Sequence, residues 1–115
     1  DEDSKRLPFA QAEFGIIGLE TLLPLTLELY HNGEMSLLDA LGKVTSNPAD
    51  LLGCPFGRLE LGAPADLLLF DPDKPRQIDE NTFRSKSKNS PFDKRPVQGA
   101  VIRTMVEGRM IFGAD

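Results

Sequence analysis

Apolar periodicity is helical before residue 55 and strand-like after it, so the chain reads as α+β with its elements segregated along the sequence. The order is loop, helices, then strands, and it is not an alternating strand–helix pattern. The first helical stretch is apolar around most of its circumference. That is more surface than the short strands after it can cover. At 115 residues the core is small for its surface. The expectation is a piece that docks on a larger body.

Residues 1–18 read as loop. Charged residues come first, then Leu7-Pro8-Phe9, then Phe14-Gly15-Ile16-Ile17-Gly18. Over 19–31 the pattern is helical: Leu22, Leu25 and Leu29 share one face, and Leu23, Leu27 and Tyr30 the next. Pro24 is compatible with a helix that begins near Glu20, because the first N–H groups of a helix have no partner within it. Asn32-Gly33 supplies the stop. Ser36 with Asp39 three residues on resembles a capping box and opens a second helix to about Val44 or Thr45. Ser46-Asn47-Pro48-Ala49 starts a third, brief helix closed by Gly53 and Pro55.

The strand signals follow. Residues 57–62 alternate between two glycines, as a short half-buried strand does. Leu67-Leu68-Leu69-Phe70, bracketed by Asp66 and Asp71, reads as a strand covered on both faces. Residues 72–96 are rich in Pro, Lys, Ser and Asn and predict a long irregular excursion, with a brief strand near Gln77-Ile78. Residues 101–106 and 109–112 flank Glu107-Gly108, a two-residue hairpin turn.

Composition excludes some function classes. The net charge of −5 argues against a nucleic-acid surface, which needs a basic stripe. No apolar run approaches the roughly 20 residues that span a bilayer, and the charged start is unlike a signal peptide. One cysteine, Cys54, allows no internal disulfide and fits a reducing, cytoplasmic setting. The start without Met, in a charged loop, suits a cut product, with removal of an initiator Met as the alternative.

Metal chemistry is constrained by the donor count. A catalytic zinc takes about three protein ligands and keeps a position open for water. The chain has one histidine, His31, and one cysteine. His31 reads as a surface cap at a helix C-terminus, where positive charge is favoured. Cys54 reads as a small buried filler. Asp66 and Asp71 fall on opposite faces of a strand, which suits turn roles rather than paired acid–base work. Asp1, Glu2 and Asp3 read as a solvated loop. Gly15 to Gly18 lacks the fuller nucleotide fingerprints, so a phosphate loop is disfavoured. Arg84, Lys86, Lys88, Lys94 and Arg95 make a basic loop. It is either a solvated excursion or a contact with another subunit or with the mouth of a barrel. Phe83 and Phe92 alone are too little aromatic surface for a nucleic-acid platform.

Several runs resemble dihydroorotase of the amidohydrolase superfamily. They are Phe14-Gly15-Ile16-Ile17-Gly18-Leu19-Glu20-Thr21, Asn47-Pro48-Ala49, Gly62-Ala63-Pro64-Ala65-Asp66, and Ser85-Lys86-Ser87-Lys88-Asn89-Ser90-Pro91-Phe92. The first and last are the specific ones, and the other two occur across many amidohydrolases. The resemblance covers nearly the whole chain.

What it implies can be stated. The complete enzyme is a (β/α)8 barrel with a small β domain built from both chain ends. Residues 1–54 would be the end of the barrel, with a substrate-side loop over 1–18 and helices over about 19–53. Residues 55–115 would be the C-terminal part of the small domain. The enzyme reversibly closes N-carbamoyl-L-aspartate to dihydroorotate in pyrimidine synthesis and uses one or two zinc ions. Its metal ligands and catalytic aspartate would lie upstream, so this chain is expected to hold no metal and to be inactive alone. Barrel sites lie at the C-terminal ends of the strands and in the loops after them. In the family the backbone at the Phe-Gly dipeptide touches the substrate ring, and the resemblance carries that contact onto Phe14 and Gly15. Its implied partners are the remainder of the barrel, a small-molecule substrate, a second copy in a homodimer, and aspartate transcarbamoylase. A non-catalytic scaffold for aspartate transcarbamoylase and a hydantoinase or allantoinase are the alternatives.

Overall fold

The computed structural model describes residues 3–113. It contains three helices, α1 (Leu22–His31), α2 (Leu37–Val44) and α3 (Ser46–Leu52), followed by three strands, β1 (Leu67–Gln77), β2 (Pro96–Val106) and β3 (Arg109–Gly113). Single 3-10 turns sit at Asp3–Lys5 and Glu80–Thr82.

The helix boundaries follow from local chemistry. The turn before α1 closes with the Thr21 N–H and hydroxyl both donating to the Gly18 carbonyl at 3.1 Å. The helix therefore begins at Leu22, two residues after the expected start. Pro24 then occupies its third position, where no N–H is needed. At the other end Gly33 turns left-handed at φ 74°. Its N–H reaches Tyr30 and the N–H of Glu34 reaches Leu29, a Schellman closure. Ser36 caps α2 by accepting the Asp39 N–H at 3.2 Å. Asp39 is too short to return the favour to the backbone, and its carboxylate takes the Ser36 hydroxyl at 2.6 Å instead. α3 ends on Gly53, left-handed at φ 66°.

The strands form one antiparallel sheet in the order β1-β2-β3. Glu107 and Gly108 both have positive φ (48° and 75°), the two-residue turn type whose twist matches a hairpin. Asp66 fastens this turn by accepting the Glu107 N–H at 2.7 Å, and the Gly108 N–H donates to Ala65 at 3.1 Å. β1 and β2 slip register between Leu69 and Phe70 and again between Asp71 and Pro75. The second irregularity accommodates Pro72 and Pro75, which have no N–H to give a ladder. There the Asp71 carboxylate accepts from the N–H groups of Asp73 and Lys74.

Two expectations about the strands need correction. Residues 57–62 are not a strand. Gly57 sits at φ 76° with its Cα against the Thr45 main chain, Gly62 turns at φ 86°, and Arg58 pairs with Asp50. Alternation is a local signal, and a strand also needs a neighbour to hydrogen-bond, which this segment lacks among the described residues. The Leu67-Leu68-Leu69 run is a strand but is not covered on both faces, since all three side chains are exposed. Part of the expected excursion, up to Gln77, is also strand.

The core is small. Ile78, Phe83 and Val97 are buried together, with Ile17, Leu25 and Phe92 packed on them. α1 lies against β2, and the contact passes through Gly99. Much apolar surface stays outside this core, including Leu19, Leu38, Leu51, Leu59 and Leu61. The radius of gyration is 16.4 Å, against about 13 Å for a compact domain of ~100 residues. Among the described residues no helix is long and apolar enough to cross a membrane.

Candidate functional site

Residues 13–21 run across the surface between the N-terminal loop and the loop at 79–95. Phe14 is fully exposed, at 100%. Gly15 is left-handed at φ 84°, a conformation that favours glycine, and a Cβ there would meet nothing within 4 Å. The Gly15 carbonyl accepts from Lys5 Nζ at 2.6 Å and from Asn89 Nδ2 at 3.3 Å. Lys5 Nζ also donates to the Glu13 carbonyl at 2.6 Å. The main-chain groups of Phe14 and the N–H of Gly15 have no hydrogen-bond partner among the described residues.

A cleft of about 650 Å³ opens beside Gly15, lined in part by Lys5, Ile16, Lys86, Ser87, Asn89 and Glu80. A second groove, about 830 Å³, lies on the other side of the run, where Ile17 and Leu19 face Phe83, Val101, Ile111 and Phe112. Ile16 borders both. Ile16 is thus the point of the Phe14 to Thr21 ridge that parts the two depressions, with Phe14 and Gly15 lining neither.

The ridge and the 85–92 loop are joined at two points. One is Asn89 on Gly15. The other is the Glu20 carboxylate, which takes the N–H of Arg84 at 2.8 Å and of Ser85 at 3.4 Å. The basic loop is anchored rather than free. Lys88 Nζ donates to the Phe83 carbonyl at 2.6 Å, and Arg84 lies 5.5 Å from the Phe112 ring centre. Arg95 grips both Glu28 oxygens at 3.0 and 2.6 Å, the two-bonded geometry that guanidinium favours. Lys94 pairs with Asp79 at 3.1 Å. Hydrogen bonds from Asn81, and then from Lys94, hold the Asp79 carboxyl below the usual carboxylate range. The hydrogen bond to Asp79 in turn raises Lys94.

The other candidate residues take structural roles. His31 Nε2 lies 3.0 Å from the Pro72 carbonyl, tying the end of α1 to β1. Cys54 is half-buried, not fully buried, with Sγ 3.8 Å from the Leu52 carbonyl. Asp66 and Asp71 hold turns, as described. Asp1 and Glu2 lie outside the described residues. Among the described residues no three or more His, Cys, Asp or Glu side chains are grouped to hold a metal ion. The described donors therefore do not assemble a metal centre.

The resemblance pointed to Phe14 and Gly15 but not to Lys5 and Asn89, which hydrogen-bond the Gly15 carbonyl. Lys5 reads locally as one charge among several, and Asn89 lies 74 residues from its acceptor. No local pattern links either to Gly15.

The model of the amidohydrolase family matches residues 10–111. The chain belongs to the amidohydrolase family. Its sequence is 54% identical over 112 residues to a dihydroorotase of Wolbachia sp. subsp. Drosophila simulans, covering 97% of this chain and 25% of the relative. It is 45% identical over 98 residues to a dihydroorotase of Aquifex aeolicus, covering 85% of this chain and 23% of the relative. This amidohydrolase chain spans about a quarter of the length of the curated relatives it matches. Among solved structures it is similar to an L-hydantoinase (dihydropyrimidinase) from Arthrobacter aurescens. That match has a TM-score of 0.83 at 40% identity and covers 90% of this chain and 24% of the other. It is also similar to the dihydropyrimidinase of Brevibacillus agri. There the TM-score is 0.88 at 25% identity, covering 96% of this chain and 25% of the other.

Proposed function

We propose that this chain is the C-terminal part of a dihydroorotase. The complete protein would interconvert N-carbamoyl-L-aspartate and dihydroorotate in pyrimidine synthesis. Ring opening adds water across the ring amide C–N bond, and ring closure releases it. Residues 1–54 form the last loop and helices of a (β/α)8 barrel, and residues 55–115 belong to a small β domain.

The observation that carries this reading is the junction of the two specific runs. Glu20 and Gly15, in the Phe14 to Thr21 run, are bonded to Ser85 and Asn89, in the Ser85 to Phe92 loop. Two segments far apart in sequence thus form one structure, with Glu20 and Ser85 at the larger groove and Asn89 at the smaller cleft. The dihydroorotase names of the relatives agree with it. The exposed apolar side chains of α1, α2 and α3 support a larger body that covers them.

Within that reading Phe14 and Gly15 offer main-chain groups to the substrate ring, and left-handed Gly15 lets the backbone come close. The zinc of such an enzyme would be held by residues outside this chain; among the described residues His31 and Cys54 do not converge with acidic groups.

The likeness to an L-hydantoinase at 40% identity favours a second reading, a sister cyclic amidohydrolase. A substrate panel on the complete polypeptide separates them. Dihydroorotate turned over at least tenfold faster than hydantoin or dihydrouracil supports the first. Preference for hydantoin or dihydrouracil replaces it with the second.

A further inference from the structure

We propose that Lys5 is a positioning residue. Its ammonium group fixes the Phe14–Gly15 main chain in the geometry presented to substrate, with Asn89 as a second brace. The proposal rests on the reading above, in which that main chain borders the substrate.

The geometry is specific. Lys5 Nζ reaches two carbonyls two residues apart, Glu13 and Gly15, each at 2.6 Å. Hydrogen bonds from a charged donor are short and roughly twice as strong as neutral ones. The carbonyl of Phe14, between the two, is not engaged. Gripping both carbonyls therefore fixes the Glu13–Phe14 and Gly15–Ile16 peptide planes, which flank the Phe14–Gly15 peptide, and leaves the carbonyl of Phe14 and the N–H of Gly15 open. Gly15 at φ 84° has many competing conformations, so its orientation must be imposed from outside. Asn89 Nδ2 supplies a second donor to the same Gly15 oxygen from the opposite loop. Ser4 Oγ donates to the Glu13 carboxylate at 3.0 Å, so the turn that carries Lys5 is itself tied to the segment it grips.

Such a brace acts on binding more than on chemistry. Main-chain contacts made equally in ground and transition states change KM and leave kcat alone. Lysine suits the task because its compact head has three donors on a flexible stem. Methionine keeps the stem and removes the donors.

The test uses the complete polypeptide with dihydroorotate as substrate. Lys5→Met is expected to raise KM about tenfold with kcat within about twofold, and Lys5→Arg to restore most of the loss. Asn89→Ala is expected to raise KM about threefold. An unchanged KM in a folded Lys5→Met protein overturns the proposal. So does a fall in kcat alone, which would reflect lost folded enzyme. If Lys5→Met does not fold, Asn89→Ala decides, and an unchanged KM there overturns the role. A wild-type protein inert toward dihydroorotate defeats the underlying reading instead, before any variant is compared.

Discussion

Glu20 and Ser85 meet across 65 residues of sequence, the carboxylate of one accepting the main-chain N–H of the other at 3.4 Å and of its neighbour Arg84 at 2.8 Å. The interaction fixes where the 84–92 loop leaves the core. Phe83, just before it, is buried against Ile78 and Val97. The Glu20 carboxylate thus joins the Lys88 bond to Phe83 in anchoring the loop that carries Asn89 to Gly15.

Removing the carboxylate should loosen the loop without melting the core. Glu20→Ala is expected to cost about 1 kcal/mol, less than the roughly 1.5–3 kcal/mol of a buried bond to a charged acceptor because these bonds are exposed. Hydrogen exchange at the Arg84 and Ser85 amides should accelerate, while exchange at Leu27 stays slow. Equal acceleration at all three would assign Glu20 to global stability.

The α1–β2 contact leaves no room for a side chain. A Cβ at Gly99 would lie 2.5 Å from Leu27 Cδ1, and Gly99 sits at φ 110°. Leu27 is fully buried, so it cannot swing away. Gly99→Ala should destabilise the protein by about 2–4 kcal/mol, from overpacking and strained backbone together. Thermal unfolding would show it, and the double variant with Leu27→Ala should recover part of the overpacking cost.

The Asp79–Lys94 pair makes a pH-dependent contribution whose sign can be worked out. The Asp79 pKa is lowered by folding, so its contribution is present above the unfolded value, about 3.9, and fades as pH falls through the lower folded value. The Lys94 pKa is raised, so its contribution is present below about 10.4 and fades as pH climbs through the higher folded value. Asp79→Asn should therefore lower the unfolding midpoint between pH 5 and 9 and make progressively less difference below pH 4. A constant difference down to pH 2 would show that charge is not the cause.

The chain by itself should hydrolyse nothing. With added zinc, the purified 115-residue polypeptide is expected to show no turnover of dihydroorotate above background. Equilibrium dialysis should find no stoichiometric zinc, since no ligand group of three or more is assembled among the described residues. Measurable turnover would place catalytic machinery within this chain.

Legibility in the sequence tracked how local each interaction is. Ser36, Pro48, Gly33 and Gly53 act within one turn, so the helix ends were readable to within about two residues. Glu107-Gly108 likewise marked its hairpin. Residues 57–62 misled because their alternation is genuine while their pairing is not local. The Leu67 to Leu69 run misled about burial, because apolarity records what a side chain would accept and not what covers it. Phe14 and Gly15 entered as site residues through a resemblance. Lys5, Glu20 and Asn89 could not be placed around them, because their partners lie up to 74 residues away.

The grip of Arg95 on Glu28 also bears on synthesis. Its partners are 67 residues apart, and ribosomes add about 5–20 residues per second, so roughly 3 to 13 s separate the making of α1 from that of its clasp. For that interval a helix apolar on most sides has neither β2 nor Arg95 to close over it. The clasp that ties α1 to the start of β2 is thus a late contact in the order in which the chain is made.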